Sequence, residues 1–419
     1  MLMMNNGRVV LLAVGLLGAG CTKTVNQCSV DSDCDNVAYP FCDVNGEYPS
    51  SGGVHNVCTI VPPGCSIERC GCDPGATTCA ASTLSTCSSD GKSTSEDQCS
   101  LGCAATSDRC LSFKPLNGLN AAMLAAAAEP AITFPASVTI NTDTGVVKDG
   151  AGVTVFVNSI VVSQPGAADI RAYIASSFDV TEAIVSGSKG LAFVAPHKIL
   201  IHGIVDASAN STTAGPGGAE AGACRGGFAT TGGGGGNATP GGAGAVLGFD
   251  LSTNMFTPGG APCAATAAFE PLIGGCRGGG PGGGGGGSVQ IDSLDTIELA
   301  QTGLLDLGGG GGNGYSGGGS GGTLILEAPA IVVAGTIVAN GAAGADCNTT
   351  GADGTRTSEP AFGPSCGSGP SQSHGGAGGT RASAATSGGG NASSGQGGGG
   401  GSVGRVLVKS SDGNYVAGA

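Results

Sequence analysis

Four stretches of this chain repeat one order of parts, and that repeat restricts its fold more than any other feature. Gly190–Ala207 (GLAFVAPHKILIHGIVDA), Gly287–Leu307 (GSVQIDSLDTIELAQTGLLDL) and Gly321–Asn340 (GGTLILEAPAIVVAGTIVAN) each hold an apolar alternating run, a polar or Pro/Ala corner, a second run and a third apolar pair. A fourth copy begins at Gly401–Ser410 (GSVGRVLVKS). A unit of about 20 residues made of short strands and corners cannot bury its apolar face alone and must stack on its neighbours. The predicted fold is therefore mostly β: a right-handed parallel β-helix over 132–419, interrupted by long glycine-rich loops. In Gly321–Asn340, stacking would turn Leu324, Leu326, Ile331, Val333 and Ile337 inward.

Composition agrees with a narrow β core. The chain has 419 residues and 84 glycines, of which 61 lie in 211–402. With no Trp and 4% aromatic residues, the interior must be built from Val, Ile, Leu and Ala. The glycine tracts fall at about 211–248, 258–287, 308–322 and 341–401. Lengthening a loop from about 10 to about 60 residues adds only roughly 1.5 kcal/mol of closure entropy, so coils tolerate such insertions. Ordering the loop is the larger cost, roughly 1–2 kcal/mol per residue, with no side chain to offset it. The tracts are thus either mobile or packed backbone to backbone as extended polyglycine helices, and partial packing is the expectation.

The stretch 132–188 carries the same β pattern (ITFPASVTINTDTGVV, VTVFVNSIVV, IRAYIA, TEAIVSG) and reads as the opening coils. Before it, Leu116–Pro130 (LNGLNAAMLAAAAEP) favours helix, with Asn117 or Asn120 as a cap and Pro130 as its stop. It falls within a linker or capping helix assigned to 113–131.

The first residues read as an export signal over 1–20: Arg8, an apolar run Val9–Leu17 too short to span a bilayer, then small residues before Cys21. Twelve cysteines follow between 28 and 110: Cys28, Cys34, Cys42, Cys58, Cys65, Cys70, Cys72, Cys79, Cys87, Cys99, Cys103 and Cys110. An exported segment this poor in apolar residues needs disulfides in place of a core. Two modules, 28–70 and 71–112, are expected to hold them, joined to Cys21 by a tether over 21–27. Zinc is disfavoured by the absence of CxxC pairs. Asp31, Asp33 and Asp35 lack the glycine and glutamate of a calcium loop and read as a solvated acidic turn. Among the later cysteines, Cys347 and Cys366 bracket one loop and are expected to pair. One of Cys224, Cys263 and Cys276 is left over.

A formal charge of −14, with no lysine between Lys198 and Lys409, excludes a nucleic-acid-binding surface. Candidate chemistry is sparse. The histidines His55, His197, His202 and His374 are scattered. Glycine patterns of the GxGxxG kind arise from composition, without a strand–loop–helix context. Asn141-Thr142-Asp143 matches one polygalacturonase motif, but that family's paired-Asp and Arg-x-Lys motifs are missing. Asp292, Asp295 and Glu298 recur every three residues, which in a strand sends them to different faces and predicts solvated positions.

Two resemblances add to this reading. Leu16–Cys21 (LLGAGC) resembles the lipobox of bacterial lipoproteins, although Gly18 stands where that family usually has Leu. The resemblance implies cleavage before Cys21, lipidation of its sulfur and, because Thr22 rather than Asp follows, the outer membrane. The cysteine-rich runs CSVDSDCDNVAYPFCD and CDPGATTCAASTLSTCSSDG, followed by a glycine-rich β region, resemble uncharacterised surface lipoproteins of myxobacteria and their relatives. The expectation is a lipid-anchored cell-surface protein with a structural, adhesive or matrix-binding role, and with polysaccharide or other surface proteins as partners. No catalytic residue, metal or cofactor is expected. The alternative is a carbohydrate-active β-helix enzyme.

Overall fold

The computed structural model describes residues 114–219, 222–245, 256–263, 269–367, 372–390 and 396–417, together with short stretches of 28–110. The chain divides into two compact units, Met1–Gln98 and Cys99–Ala419. The division falls inside the second cysteine-rich segment, ahead of Cys99, Cys103 and Cys110.

The first unit is held by cystine. Strands β1 (Phe41–Asp43) and β2 (Val57–Thr59) pair antiparallel with Cys42 opposite Cys58. Disulfides Cys28–Cys42 and Cys34–Cys58 run through this hairpin. Strands β3 (Thr77–Ala80), β4 (Thr83–Cys87) and β5 (Thr94–Gln98) form an antiparallel meander tied by Cys72–Cys87. Strand β5 is exposed along its length. Among the described residues, the hydrophobic cluster of this unit consists of cysteines. Bridges that close 14, 24 and 15 residues hold these described segments together, each contributing roughly 3 kcal/mol.

The second unit is mostly β. One short helix, α1 (Asn120–Ala126), precedes β6 (Ile132–Thr133), β7 (Val138–Asn141), β8 (Val146–Asp149), β9 (Thr154–Val155) and β10 (Asn158–Val162). The repeats then supply β11 (Ile170–Ile174), β12 (Phe178–Ser186), β13 (Gly190–Ala195), β14 (Ile199–Asp206), β15 (Ser288–Ser293), β16 (Thr296–Leu299) and β17 (Leu304–Asp306). Last come β18 (Thr323–Val333), β19 (Thr336–Val338), the small pair β20 (Ser365–Cys366) and β21 (Ser373–His374), and β22 (Arg405–Ala417). Apart from β20 and β21, these strands make one large, curled, fifteen-stranded sheet.

The curl arises because single strands bend and serve two ladders. The first ladder is β11, β13, β15, the start of β18 and the start of β22, all parallel. Its register stacks Tyr173, Phe193, Ile291, Leu326 and Val408 in one inward row. The second is β6, the start of β12, β14, β16 and the ends of β18 and β22, stacking Phe178, Ile199, Ile297 and Ile331. The third is β7, the end of β12, the end of β14, β17 and β19, stacking Val138, Ala183, Val205, Leu305 and Ile337. Leu324, Leu326, Ile331 and Val333 lie in the main core and Ile337 packs against it, as alternation in Gly321–Asn340 requires.

The corners are bulges, at Val180/Glu182 in β12 and Ala328/Ala330 in β18. Thr181 turns its carbonyl into β14 at the first of these, and a Cβ on Gly203 would lie 1.4 Å from that oxygen. At the chain's entry to the sheet, the pairs β10–β11, β7–β8 and β8–β9 are antiparallel.

Helix α1 lies on the outer face of the first ladder. Leu119, Ala122, Met123 and Ala126 pack on Ile170, Ala172, Ile174, Ala192, Val194 and Ile325. The helix begins at Leu119 without a side-chain cap. Asn117, expected as a cap, instead adopts a left-handed backbone (φ 56°) and donates its amide to Gln290 at 2.8 Å.

Within the described residues, the glycine tracts are packed backbone to backbone. Their hydrogen bonds repeat every third residue. Gly398 and Gly401 donate to Ala345 and Ala342, whereas Gly399 and Ser402 donate to Gly232 and Gly235. Gly318 and Gly321 donate to Gly399 and Ser402, and Gly319 and Gly322 donate to Gly310 and Leu307. A period of three, with successive residues bonding different neighbours, is the signature of extended helices of three residues per turn packed side by side. Both parallel and antiparallel neighbours occur in these four sets. The bonds of 2.7–2.8 Å in Gly242→Gly400, Gly310→Gly284 and Gly404→Ala339 join tracts far apart in sequence. Glycine is obligatory here because a Cβ on Gly234 would lie 1.8 Å from the Gly400 oxygen, and one on Gly319 would lie 1.9 Å from that of Gly284. Disulfides Cys224–Cys276 and Cys347–Cys366 close 52 and 19 residues of this region, roughly 4 and 3 kcal/mol against its ordering cost.

Candidate functional site

The third ladder ends at β19, which among the described strands pairs only with β17, and a cleft opens beside it. Thr336, Ile337, Val338, Asn340, Arg356, Thr357, Ser358, Thr380, Arg381 and Ala382 enclose about 550 Å³. A second hollow of about 840 Å³ shares Ile337, Asn340 and Arg381, and extends over Ala339, Val403, Gly404, Val406 and Val408. Together they form an apolar strip flanked by two guanidinium groups, hydroxyls and an amide.

The ladder fixes one side of this cleft. Asp206 and Asp306 are register partners on β14 and β17. Each uses one oxygen to hold the strand's exit. Asp206 Oδ1 accepts from Ser208 N at 3.0 Å and Asp306 Oδ1 accepts from Gly308 N at 3.0 Å. Their other oxygens receive Arg356, with Nε 2.6 Å from Asp306 Oδ2 and Nη2 2.8 Å from Asp206 Oδ2. Burial pushes the Asp306 carboxyl up, while the Gly308 N–H and Arg356 oppose it. The bond to Asp306 raises the Arg356 guanidinium further. Asn340 Nδ2 secures the same loop through Thr355 O at 2.9 Å and Thr357 O at 2.7 Å. Arg356 is thus held at the rim by two carboxylates, and Arg381 is exposed.

A second polar cluster is buried beneath the segment entering α1. Asp292 and Glu327 are register partners on β15 and β18, and Glu327 pairs with Lys409 on β22. Both carboxyl groups are fully buried. Lys409 Nζ lies 2.8 Å from Glu327 Oε1, Leu116 N donates to Glu327 Oε2 at 2.8 Å, and Gln290 Nε2 donates to Asp292 and Glu327 at 3.0 Å. Burial, then the neighbouring Glu327, holds the Asp292 carboxyl well above the usual carboxylate range. This corrects the expectation of a solvated Asp292: the outward row of the ladder is covered by 114–126. Asp295 does lie at an exposed turn, and Glu298 pairs with Lys198.

Asn141-Thr142-Asp143 serves a turn. Asn141 Oδ1 accepts from the Asp143 and Thr144 amides at 3.0 Å, closing the connection from β7 to β8. Asp143 Oδ1 accepts from Ser188 Oγ at 2.6 Å and lies 3.5 Å from Lys189 Nζ, and the Ser188 bonds hold its carboxyl below its ordinary value. His202 Nδ1 faces Asp179 at 2.8 Å on the adjacent strand, while His197 is exposed at the corner before β14. Four Gly-x-Ser-x-Gly matches, centred on Ser316, Ser320, Ser365 and Ser402, are products of the glycine content. Ser365 is exposed on β20, whereas Ser316, Ser320 and Ser402 are buried, and their hydroxyls donate to Asn313 O, Gly236 O and Val403 O within the array.

Of the cysteines expected in disulfides, Cys99 bonds Cys110 and Cys347 bonds Cys366, and Cys79 and Cys103 are also in disulfides. Cys21, Cys65 and Cys70 lie outside the described residues, as does the expected signal segment. Among the described residues, no helix is long and apolar enough to cross a membrane. The β19 cleft carries no motif in the sequence, because its walls come from β19, the 355–358 and 380–382 loops and β22. The one readable sign was the repeated Asp at the ends of β14 and β17. No protein-family model, curated protein or solved structure matches this chain.

Proposed function

We propose that this chain is a lipid-anchored structural protein of the cell surface that holds extracellular polysaccharide or neighbouring surface proteins. In this reading Cys21 is the lipidated residue, the outer membrane is the anchor, and the parallel ladders form a right-handed β-helix. The observation that carries the reading is the period-three hydrogen bonding of the glycine tracts. Backbone amides and carbonyls that loose loops would offer to a ligand are spent inside the array, so these tracts supply rigidity. Contact with a partner then falls to side chains at the rim. The β19 cleft offers the exposed Arg381 beside Ile337 and Val338, with Arg356 already paired to Asp206 and Asp306, and an exposed guanidinium next to apolar side chains suits acidic sugars. Guanidinium groups bind carboxylate or sulfate through paired hydrogen bonds, and sugar ring faces pack on apolar side chains.

Co-sedimentation of the full-length protein with purified acidic polysaccharide tests the reading. Binding that survives with unchanged polymer length, and weakens about tenfold in Arg381→Ala through loss of a charged hydrogen bond, is the expected result. Shortening of the polymer, lost on replacing Asp143 by Asn, would overturn it in favour of a carbohydrate-active enzyme. Cells producing Cys21→Ser should release the protein from the membrane fraction, and retention there would remove the anchor from the account.

A further inference from the structure

One thiol sits against a disulfide inside the glycine array. Cys224 and Cys276 are bonded, and the Cys263 Sγ is 3.2 Å from the Cys276 Sγ. All three sulfurs lie within 4.8 Å of one another. Cys276 is fully buried, Cys224 is 8% exposed, and its neighbours Ala223 and Arg225 are exposed. Cys263 is the free cysteine of the described residues and is half-buried. It donates weakly to Gly236 O at 3.9 Å.

A buried charge acts on it. The guanidinium of Arg405 lies 5.1 Å from the centre of the Phe269 ring, and its Nε and Nη2 are buried without hydrogen-bond partners. Desolvation lowers the Arg405 pKa, with Cys263 opposing that shift. Burial raises the Cys263 thiol, and Arg405 opposes that rise. A buried cation with two nitrogens that have no acceptor favours a thiolate in its field as it forms.

We propose that Cys224, Cys263 and Cys276 form a thiol–disulfide exchange site whose substrate is a disulfide. Cys263 gives its proton to solvent, and its thiolate attacks the Cys276 sulfur. The Cys263–Cys276 bond forms as the Cys224–Cys276 bond breaks, and the electron pair leaves on Cys224, which takes up a proton. No net oxidation occurs. Cys224, flanked by exposed residues, then attacks an external disulfide R–S–S–R, giving a mixed disulfide at Cys224 and releasing one thiol RSH. The partner class is any accessible disulfide, small or on another surface protein, so the site is a point for covalent attachment. The nearness of the sulfurs makes either internal pairing available to one backbone.

The test uses the full-length oxidised protein incubated with oxidised glutathione, followed by peptide mapping without reduction. The expected product carries glutathione on Cys224 with a Cys263–Cys276 bond. Cys263→Ser keeps the Cys224–Cys276 bond and takes no glutathione at these positions. Cys224→Ser isolates the alternative pairing: it should hold a Cys263–Cys276 bond and remain folded. Glutathione on Cys263 alone, none at the three cysteines, or a Cys224→Ser protein with free thiols at both Cys263 and Cys276 would each overturn the proposal.

Discussion

At the scale of single residues, the glycines and the buried acids carry the most specific consequences. Gly319 meets the Gly284 carbonyl oxygen at 1.9 Å from where a Cβ would stand, and the nearest atoms are all backbone of Gly283 and Gly284, which leaves no flexible side chain to move. Gly319→Ala should therefore destabilise the second unit by about 1–3 kcal/mol in urea unfolding, as overpacking does. Gly150 has open space around its missing Cβ, and Gly150→Ala should change stability by less than about 0.5 kcal/mol. Equal effects at both positions would mean that the tracts are not packed. Asp292 gives a second residue-scale prediction. Its carboxyl is raised above the ordinary value of 3.8 by burial and Glu327, so the folded state binds a proton that the unfolded chain releases. The stabilisation is complete below the unfolded pKa and is lost as pH rises through the folded one. Melting temperature should fall from acid towards alkaline pH, and Asp292→Asn should flatten that slope and melt higher than the natural protein at alkaline pH. An unchanged slope would show that Asp292 is not the titrating group.

At the scale of elements, strand alternation was the most legible part of the sequence. The inward set Leu324, Leu326, Ile331 and Val333 could be read from β18 alone, because period-two burial on a stacked strand depends only on local order. Val333→Asp tests this assignment. It places an unpaired charge against Leu299 and should unfold or aggregate the second unit, with a loss of about 3 kcal/mol or more. Unchanged melting would refute the inward assignment. Other elements were not legible for physical reasons. The burial of Asp292 depends on a segment some 170 residues away, Leu116 and Asn117, whose hydrogen bonds cross the ladder. Neither Asn117 nor Asn120 caps α1: Asn117 uses its amide in that tertiary contact, and Asn120 is the first residue of the helix itself. The β19 cleft gathers residues from four separated segments, and no spacing rule connects them.

At the scale of the whole molecule, the structure resolves the choice between mobile and packed glycine tracts. Composition alone permits both, since glycine has neither a side chain to bury nor one to obstruct close approach. The outcome depends on whether tracts from different loops meet in register. The parallel ladders arrange this by returning each loop to the same side of the sheet: Gly283–Gly287, Gly317–Gly322 and Gly397–Ser402 bond one another directly or through one intermediate tract. The ladders order the loops, and the ordered loops consume the polar backbone that would otherwise remain solvated. The proposed role rests on the rigidity of this array, a body that keeps its shape with few side-chain contacts. Native-state hydrogen exchange on the full-length protein measures it directly. The expected result is that amides of Gly283, Gly284, Gly286, Gly287, Gly317–Gly321 and Gly398–Gly401 exchange slower than the free-peptide rate by a factor of at least about 10³, alongside those of β13 and β15. Exchange of these glycine amides at the free-peptide rate, with β13 and β15 still protected, would contradict it.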